Sequence, residues 1–517
     1  MNFSRTWTWA GRLRRDEGGA ALVLATVFML TLLSVVAVAV DYGQATVLKQ
    51  KLQNAADAAA LAVGGRLNLT QEQANALANN YIKANYPDLA IGTLTSFTVT
   101  PTANGYKVQV TASLPTTFLR VLGTDTLNVG ASSEVSRQLK KLEVVMALDN
   151  TGSMSTNDRI GKLKTAANTL VDTLFGEDDV SDYVKIGLVP FSAAVNLGAG
   201  ALGKGWIDET GASSLNREDI TLAPGKPSLF DVYRSMNNVA WGGCVRARTN
   251  GYDLTDDPPN LAVPATLFVP YFAPDEEGNA GAYTYQNTYI NGEATTAGQY
   301  TGKGLTAAMI ADGNGPGWNC VPRPVQALTN VRSTISDAIT AMQPRGSTVI
   351  PEGLGWAWRV VSPGLPFDEG AAYSDKTTTK AIILLTDGRN QVENTGTKYK
   401  SFYSAYGFAN KGHLGATDGS QSRQVLNAKT TTLCNSIKAD KDGDPTTDDI
   451  YIYTIALEIS TGNSGIDNET KSLLQSCATP AAKCPGGQCF FDTPSGDALQ
   501  EVFSKIALGL ASLRVAK

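Results

Sequence analysis

The chain has 517 residues, more than one ordinary hydrophobic core accommodates, so we expect at least two domains. Its 43 Lys and Arg residues nearly balance 48 Asp and Glu residues, and no long basic run is present, which argues against a nucleic-acid partner. A single histidine, His413, leaves almost no imidazole for base catalysis or repeated metal ligation. Carboxylates and hydroxyls must therefore supply any functional site.

The first predicted element is a transmembrane helix at residues 20–40, an uncharged apolar run of about the length that crosses a bilayer. Arg5, Arg12, Arg14 and Arg15 precede it. Because short basic flanks stay in the cytoplasm, we expect residues 1–19 to be a cytoplasmic tail and the remainder to be translocated.

A cleaved signal peptide is the alternative interpretation of this run. Residues 37–39 (Ala-Val-Ala) offer a small-x-small cleavage site. The apolar core is longer than is usual for such peptides, which favours a permanent anchor.

Residues 41–138 are predicted to continue this helix along a small-residue face and then to form a small α+β module. The module contains a helix at 71–85 and strands at 96–100, 106–112 and 127–135. The stretch GGAALVLATVFMLTLLSVVAVAVDYGQATVLKQKLQNAADAAALAVGG resembles the N-terminal segment of TadG-like and TadE-like proteins of Flp (tight adherence) pilus assembly. That resemblance implies an inner-membrane protein that works with pilus or secretion components. Processed pilin-like members have a Glu inside the apolar segment, and its absence here also favours a permanent anchor.

Residues 139–517 are predicted to form a doubly wound, Rossmann-like α/β domain, because buried strands alternate with amphipathic helices. The predicted strands are 142–148, 184–191, 379–386 and 450–457. Two stretches break the rhythm and are interpreted as insertions, at about 197–324 and 389–421. Both should emerge near the strand ends where such sheets bind ligands.

The six cysteines all lie in this region, and their even number without a paired CxxC motif favours disulfides in an oxidising compartment. Free thiols in a cytosolic protein are the alternative. Fifteen pairings are possible in principle. Position along the chain favours three of them: Cys244 with Cys320, Cys434 with Cys477, and Cys484 with Cys489.

Three separated stretches, 149–154, 345–351 and 385–388, place carboxylates and hydroxyls at strand ends that share one edge of a parallel sheet. Oxygen ligands suit a hard divalent cation, with Mg²⁺ favoured and Ca²⁺ or Mn²⁺ as alternatives. Simple turns at strand ends are the other interpretation of these stretches.

The three stretches resemble the metal-ion-dependent adhesion site of von Willebrand factor A (vWA) domains. The resemblance implies that five side chains surround a metal that accepts an acidic residue from a protein partner: Asp149, Thr151, Ser153, Thr348 and Asp387. Thr151 stands where Ser is commoner, and Ser347 is the alternative to Thr348 because the interval from Ser153 is unusually long.

The leading functional hypothesis is therefore a non-enzymatic envelope protein of Flp pilus assembly that binds its partner through a metal. A surface adhesin or matrix-binding protein unrelated to pili is the first alternative. A metal-assisted hydrolase with Asp149 or Asp387 as base is the second, although the chain has neither a nucleophile elbow nor a P-loop motif.

Overall fold

The structure is a computed structural model divided into two compact units, Met1–Gln138 and Leu139–Lys517. The described residues are 18–66, 69–87, 91–102, 105–136, 140–276, 287–290, 294–311, 313–416, 418–439, 441, 450–459 and 465–513. The predicted cytoplasmic tail therefore lies outside the described residues, except for positions 18 and 19.

The first unit begins with one continuous helix, α1 (Gly18–Gly64). By length and composition, this helix is long and apolar enough to cross a membrane. Apolar side chains of its first half, such as Phe28 and Val35, are exposed, whereas Leu48 and Leu52 in the second half are fully buried. The helix thus changes from an exposed apolar rod to a packed element within one unit.

A small module covers the second half of α1. Its elements are α2 (Gln71–Asn85) and an antiparallel sheet of β1 (Thr93–Thr102), β2 (Gly105–Pro115) and β3 (Thr126–Ser136). Ala55, Ala59 and Val63 of α1 are buried in the same core as Ala78 of α2 and Val110 of β2. The alanines let the neighbouring elements approach α1 closely.

A capping box fixes the start of α2. The Thr70 hydroxyl accepts a hydrogen bond from the Gln73 backbone N–H, and the Gln73 side chain accepts one from the Thr70 N–H. We expect Thr70→Ala to lower the local unfolding free energy of α2 by about 1 kcal/mol. Hydrogen exchange of the α2 amides in the full chain measures this change. Thr70→Ser keeps the accepting oxygen and should restore the loss, so equal exchange in both variants would contradict the assignment.

The second unit is built on a six-stranded sheet. The strands of this unit are β4 (Lys141–Asp149), β5 (Val184–Phe191), β6 (Val195–Asn196), β7 (Cys244–Val245), β8 (Gln326–Thr329), β9 (Thr378–Thr386), β10 (Ile450–Leu457) and β11 (Phe490–Thr493). The order in the sheet is β11-β10-β9-β4-β5-β8, and all pairs are parallel except β5 with the edge strand β8. The four predicted strands are confirmed, and the structure adds short edge strands at both sides.

Helices cover both faces of this sheet, as the doubly wound prediction requires. The helices of the unit are α3 (Arg159–Phe175), α4 (Leu229–Ser235), α5 (Ala307–Ala311), α6 (Arg332–Thr340), α7 (Ile350–Val361), α8 (Gly419–Lys438), α9 (Gly465–Cys477) and α10 (Leu499–Leu513). Val144 and Met146 of β4 pack with α3, α6 and α10, whereas Val145 and Ala147 pack with α7, α8 and α9. Alternate residues of β4 are buried on opposite faces, which explains the apolar run Val144–Leu148.

The stretch 197–324 lacks a regular period but is densely packed against the sheet domain. Phe268 lies with its ring centroid 4.6 Å from that of Trp356, which is itself buried on α7. The Arg248 guanidinium stacks 4.9 Å from the centroid of the Phe268 ring. Aromatic side chains therefore supply the packing that helices or strands would otherwise provide.

Three disulfides link Cys244 to Cys320, Cys434 to Cys477, and Cys484 to Cys489. The first closes most of the stretch 197–324, and the second joins α8 to α9. No cysteine is left free. Such a complete set is typical of a protein that folds in an oxidising compartment.

Candidate metal centre

The centre lies at the carboxyl ends of β4 and β9, two adjacent parallel strands. Leu148 of β4 is in register with Leu385 of β9, so Asp149 and Asp387 follow at the same edge of the sheet. Asp149 is fully buried and Asp387 is 8% exposed. The fold thus brings together two carboxylates that are far apart in sequence.

The loop after β4 connects these carboxylates through hydroxyl groups. The Thr151 backbone N–H donates to Oδ1 of Asp149 at 2.8 Å, and the Thr151 and Ser153 hydroxyl oxygens lie 3.0 Å apart. The Ser153 hydroxyl donates to Oδ1 of Asp387 at 2.7 Å. Four of the five side chains singled out in the sequence therefore form one hydrogen-bonded cluster.

The fifth side chain, Thr348, lies on a loop that backbone hydrogen bonds attach to the same place. The Gly152 N–H donates to the Gly346 carbonyl at 2.9 Å, and the Arg345 N–H donates to the Asn150 carbonyl at 2.6 Å. Thr348 is largely buried and lines a cavity together with Thr151.

Gly346 allows this loop to pack closely against Asn319. Its φ of +89° lies in the left-handed region, and a Cβ at this position would clash with the Asn319 carbonyl oxygen. A side chain here would therefore separate the loop that holds Ser347 and Thr348 from Asn319.

Ionisation of both Asp149 and Asp387 is unfavourable at this buried position. Burial, and then the charge of Asp387, raise the pKa of Asp149 to about 7. Burial also raises the pKa of Asp387. The ionised pair therefore favours an additional positive charge.

Three residues that the sequence did not single out support the cluster. The Thr386 hydroxyl donates to Oδ2 of Asp149 at 2.7 Å. Arg159 donates through Nη1 to Oδ2 of Asp387 and through Nε to Oε2 of Glu458, each at 2.8 Å. Thr386 directly precedes Asp387, which was a usable signal, but Arg159 and Glu458 belong to no recognisable pattern.

Strained backbone surrounds this arrangement. Asn157, Asp158 and Glu458 all have φ values between 52° and 54°, in the left-handed region that non-glycine residues rarely adopt. Such strain is often concentrated at functional sites.

An open cavity of about 330 Å³ borders Thr151 and Ser153, the two hydroxyl-bearing residues of the cluster. Its lining comprises Thr151, Ser153, Trp318, Asn319, Gly346, Ser347, Thr348, Gln391 and Phe402. Trp318 and Asn319 come from the stretch 197–324, and Gln391 and Phe402 come from the stretch 389–421. The ring centroids of Trp318 and Phe402 are 5.9 Å apart. Both irregular stretches therefore form walls of the cavity.

The donor set fits a hard divalent cation. The described residues contain no group of three or more His, Cys, Asp or Glu side chains that could hold a metal, so hydroxyl oxygens would have to complete the ligands. The Ser347 hydroxyl and the Asn150 side-chain amide are buried without a hydrogen-bond partner among the described residues. A hydrated cation would supply such partners.

The large unit is an α/β domain with a mostly parallel six-stranded sheet and one antiparallel edge strand, which is the fold that the sequence resemblance to vWA domains predicts. Residues 18–78 match the family described as "Putative Flp pilus-assembly TadE/G-like". This match confirms the resemblance seen in the N-terminal sequence. None of the curated proteins matches the chain.

Solved structures with similar folds include two pilus proteins. The pilus adhesin SpaC from Lactobacillus rhamnosus GG is 13% identical, with a TM-score of 0.32, over 82% of this chain and 35% of SpaC. The vWF domain of the type V pili tip protein Mfa5 from Porphyromonas gingivalis is 11% identical, with a TM-score of 0.32, over 73% of this chain and 97% of that one. The chain thus spans about a third of the length of SpaC.

A third similar structure is proximal thread matrix protein 1 from the mussel byssus with a zinc-occupied MIDAS motif. It is 13% identical, with a TM-score of 0.28, over 73% of this chain and 47% of that protein. At such identities the likeness concerns the fold alone.

Proposed function

We propose that this chain is a single-pass inner-membrane protein of Flp (tight-adherence) pilus assembly that binds a protein partner through a metal-ion-dependent adhesion site. The TadE/G-like segment at residues 18–78 and the apolar first half of α1 support the membrane and pilus parts of the proposal. The three disulfides support an exported large unit. The proposal assigns binding, not catalysis, to the site.

The observation that carries the proposal is the hydrogen-bonded cluster of Asp149, Thr151, Ser153 and Asp387, whose two hydroxyl-bearing residues line an open cavity. Adjacent ligands of an octahedral Mg²⁺ ion are about 2.9 Å apart, given metal–oxygen distances near 2.1 Å. The oxygens of Thr151 and Ser153 are 3.0 Å apart, and those of Ser153 and Asp387 are 2.7 Å apart. This spacing is compatible with neighbouring oxygen ligands of one hard divalent cation, and Mg²⁺ is the cation that we propose.

Asp149, Thr151, Ser153, Thr348 and Asp387 would hold the cation, which would supply a positive centre for a carboxylate oxygen of the partner. Thr386 orients Asp149 and Arg159 orients Asp387, because each donates a hydrogen bond to the Oδ2 atom of its aspartate. Trp318 and Phe402 line the cavity and offer apolar contact to a partner.

The proposed topology has the N-terminus in the cytoplasm and the bulk of the chain in the periplasm or outside the cell. The four arginines before residue 16 and the apolar run at 20–40 support it. A C-terminal fusion to alkaline phosphatase, which is active only after export, tests this orientation. An active cytoplasmic reporter at the same position would contradict it.

Calorimetry of Mg²⁺ binding to the full chain in detergent tests the site. We expect Ser153→Ala to weaken Mg²⁺ binding by at least about 10-fold, since even groups that only orient a ligand typically contribute that much. Ser155→Ala is the matched control, because this exposed hydroxyl of the same loop donates only to the Gly152 carbonyl. Equal affinity in both variants would refute the site.

The same titration decides between Thr348 and Ser347 as the ligand from residues 345–351. Only the change to Ala of the residue that binds the metal should weaken Mg²⁺ binding.

Binding assays with purified pilus-assembly components, with and without chelator, separate the proposed role from that of an adhesin unrelated to pili. If the chain binds none of these components in the presence of Mg²⁺, the result would favour the adhesin.

A further inference from the structure

A short loop of the first unit is attached to α1 where its apolar run ends. The Asp41 carboxylate, 1% exposed, accepts hydrogen bonds from three consecutive backbone N–H groups. These belong to Thr117, Phe118 and Leu119, at 3.0, 2.9 and 2.6 Å. One buried carboxylate thus fixes the position of the loop on the helix.

The direction of the Asp41 side chain determines the level at which the loop lies. Side chains on an α-helix tilt toward its N-terminus, so this carboxylate reaches back toward the turn that ends at Val40. Residues 117–119 therefore lie beside the last turn of the apolar run and not beyond it.

The same loop carries apolar side chains that the described residues of the unit leave exposed. Val121 is 86% exposed and Phe118 is 44% exposed, and Tyr42 and Val40 of the helix are also exposed. Exposed apolar side chains are thus present both at the end of the apolar run of α1 and on the loop that Asp41 holds there. Arg120, which pairs with Asp125 at 3.2 Å, adds a charged group of the kind found at lipid headgroups.

We propose that residues 117–121 form a second membrane contact, which enters the headgroup region of the outer leaflet beside the anchor. The occupant of this surface is lipid, because Asp41 holds the loop at the end of the exposed apolar run of the proposed span and the surface combines Phe, Tyr and Arg as interfacial segments do. Asp41 acts as the clamp that sets the depth of the loop and restricts tilting of the small module on the bilayer. This inference rests on the proposed span at residues 20–40.

Spin labelling in vesicles of phosphatidylethanolamine and phosphatidylglycerol tests this contact. Because all six native cysteines are paired, a single introduced cysteine can be labelled without reduction. The full chain carries the label at Val121→Cys, at Val35→Cys within the proposed span, or at Leu61→Cys, an exposed site on the same helix about 30 Å beyond Asp41. Power saturation then compares access of membrane-soluble oxygen with access of a water-soluble nickel chelate.

We expect the oxygen-to-nickel accessibility ratio at position 121 to be several-fold higher than at 61 and to approach that at 35. In the Asp41→Asn background, which weakens the three hydrogen bonds, the ratio at 121 should fall toward that at 61. If the label at position 121 gives the same ratio as the label at 61 while the label at 35 is in lipid, the loop contact is overturned and the proposed span is retained. An aqueous signal at 35 overturns both, and an unchanged ratio in Asp41→Asn overturns the clamp.

Discussion

Asp149→Asn is expected to lower the affinity of the full chain for Mg²⁺ by more than about 100-fold, the upper range for residues that only orient a ligand. The substitution removes a charge but keeps the shape of the side chain. Its remaining oxygen can still accept from the Thr151 N–H or the Thr386 hydroxyl. Isothermal calorimetry in detergent measures the affinity, and circular dichroism verifies that the fold is retained.

Asp492→Asn is the matched control for this substitution. Asp492 lies on β11 of the same sheet, and its half-exposed side chain pairs with Lys471 away from the cluster. Without metal, Asp149→Asn should be at least as stable as the parent chain at neutral pH, because burial raises the pKa of Asp149 and disfavours its charge. Unchanged Mg²⁺ affinity in a folded Asp149→Asn chain would rule out the proposed centre.

The central strands were predictable because they are buried on both faces and therefore read as continuous apolar runs. Val184–Phe191 and Ile450–Leu457 have the predicted bounds. The edge strands β8 and β11 have four residues each, too few to show a period. Their pairing depends on neighbouring strands that the local sequence does not contain.

The residues of the candidate site also fall into a predictable group and an unpredictable group. Asp149, Thr151 and Ser153 lie in one short stretch after a strand, so local pattern was enough to suggest them. Arg159 is far in sequence from Asp387 and from Glu458, and it meets both carboxylates only through the fold. No spacing rule connects such residues, and only the geometry reveals their role.

The walls of the cavity were beyond sequence reasoning for a different reason. Trp318 and Phe402 belong to stretches without a regular period, so their positions depend on aromatic packing and on the Cys244–Cys320 disulfide. The prediction that both stretches emerge near the ligand-binding strand ends agrees with their contribution to one cavity. Their detailed packing is a tertiary property.

Removal of the Cys244–Cys320 disulfide by Cys244→Ala with Cys320→Ala is expected to lower the free energy of unfolding of the large unit by about 4 kcal/mol. The two cysteines are 76 residues apart, and the entropy that a cross-link removes from the unfolded chain rises with the length of the closed loop. Cys484→Ala with Cys489→Ala opens a separation of only 5 residues and should cost about 2 kcal/mol. Denaturant unfolding followed by tryptophan fluorescence compares the two pairs.

The variant without the Cys244–Cys320 disulfide separates the role of the cavity wall from that of the two aspartates. Cys320 directly follows Trp318 and Asn319, so loss of its disulfide loosens one wall, whereas Asp149 and Asp387 are held by the strands β4 and β9. We therefore expect Mg²⁺ affinity to remain within a few-fold of the parent chain while metal-dependent partner binding falls. Equal stability of the two disulfide variants would contradict the loop-length argument. Loss of Mg²⁺ binding together with partner binding would show that the stretch 197–324 also holds the metal ligands in place.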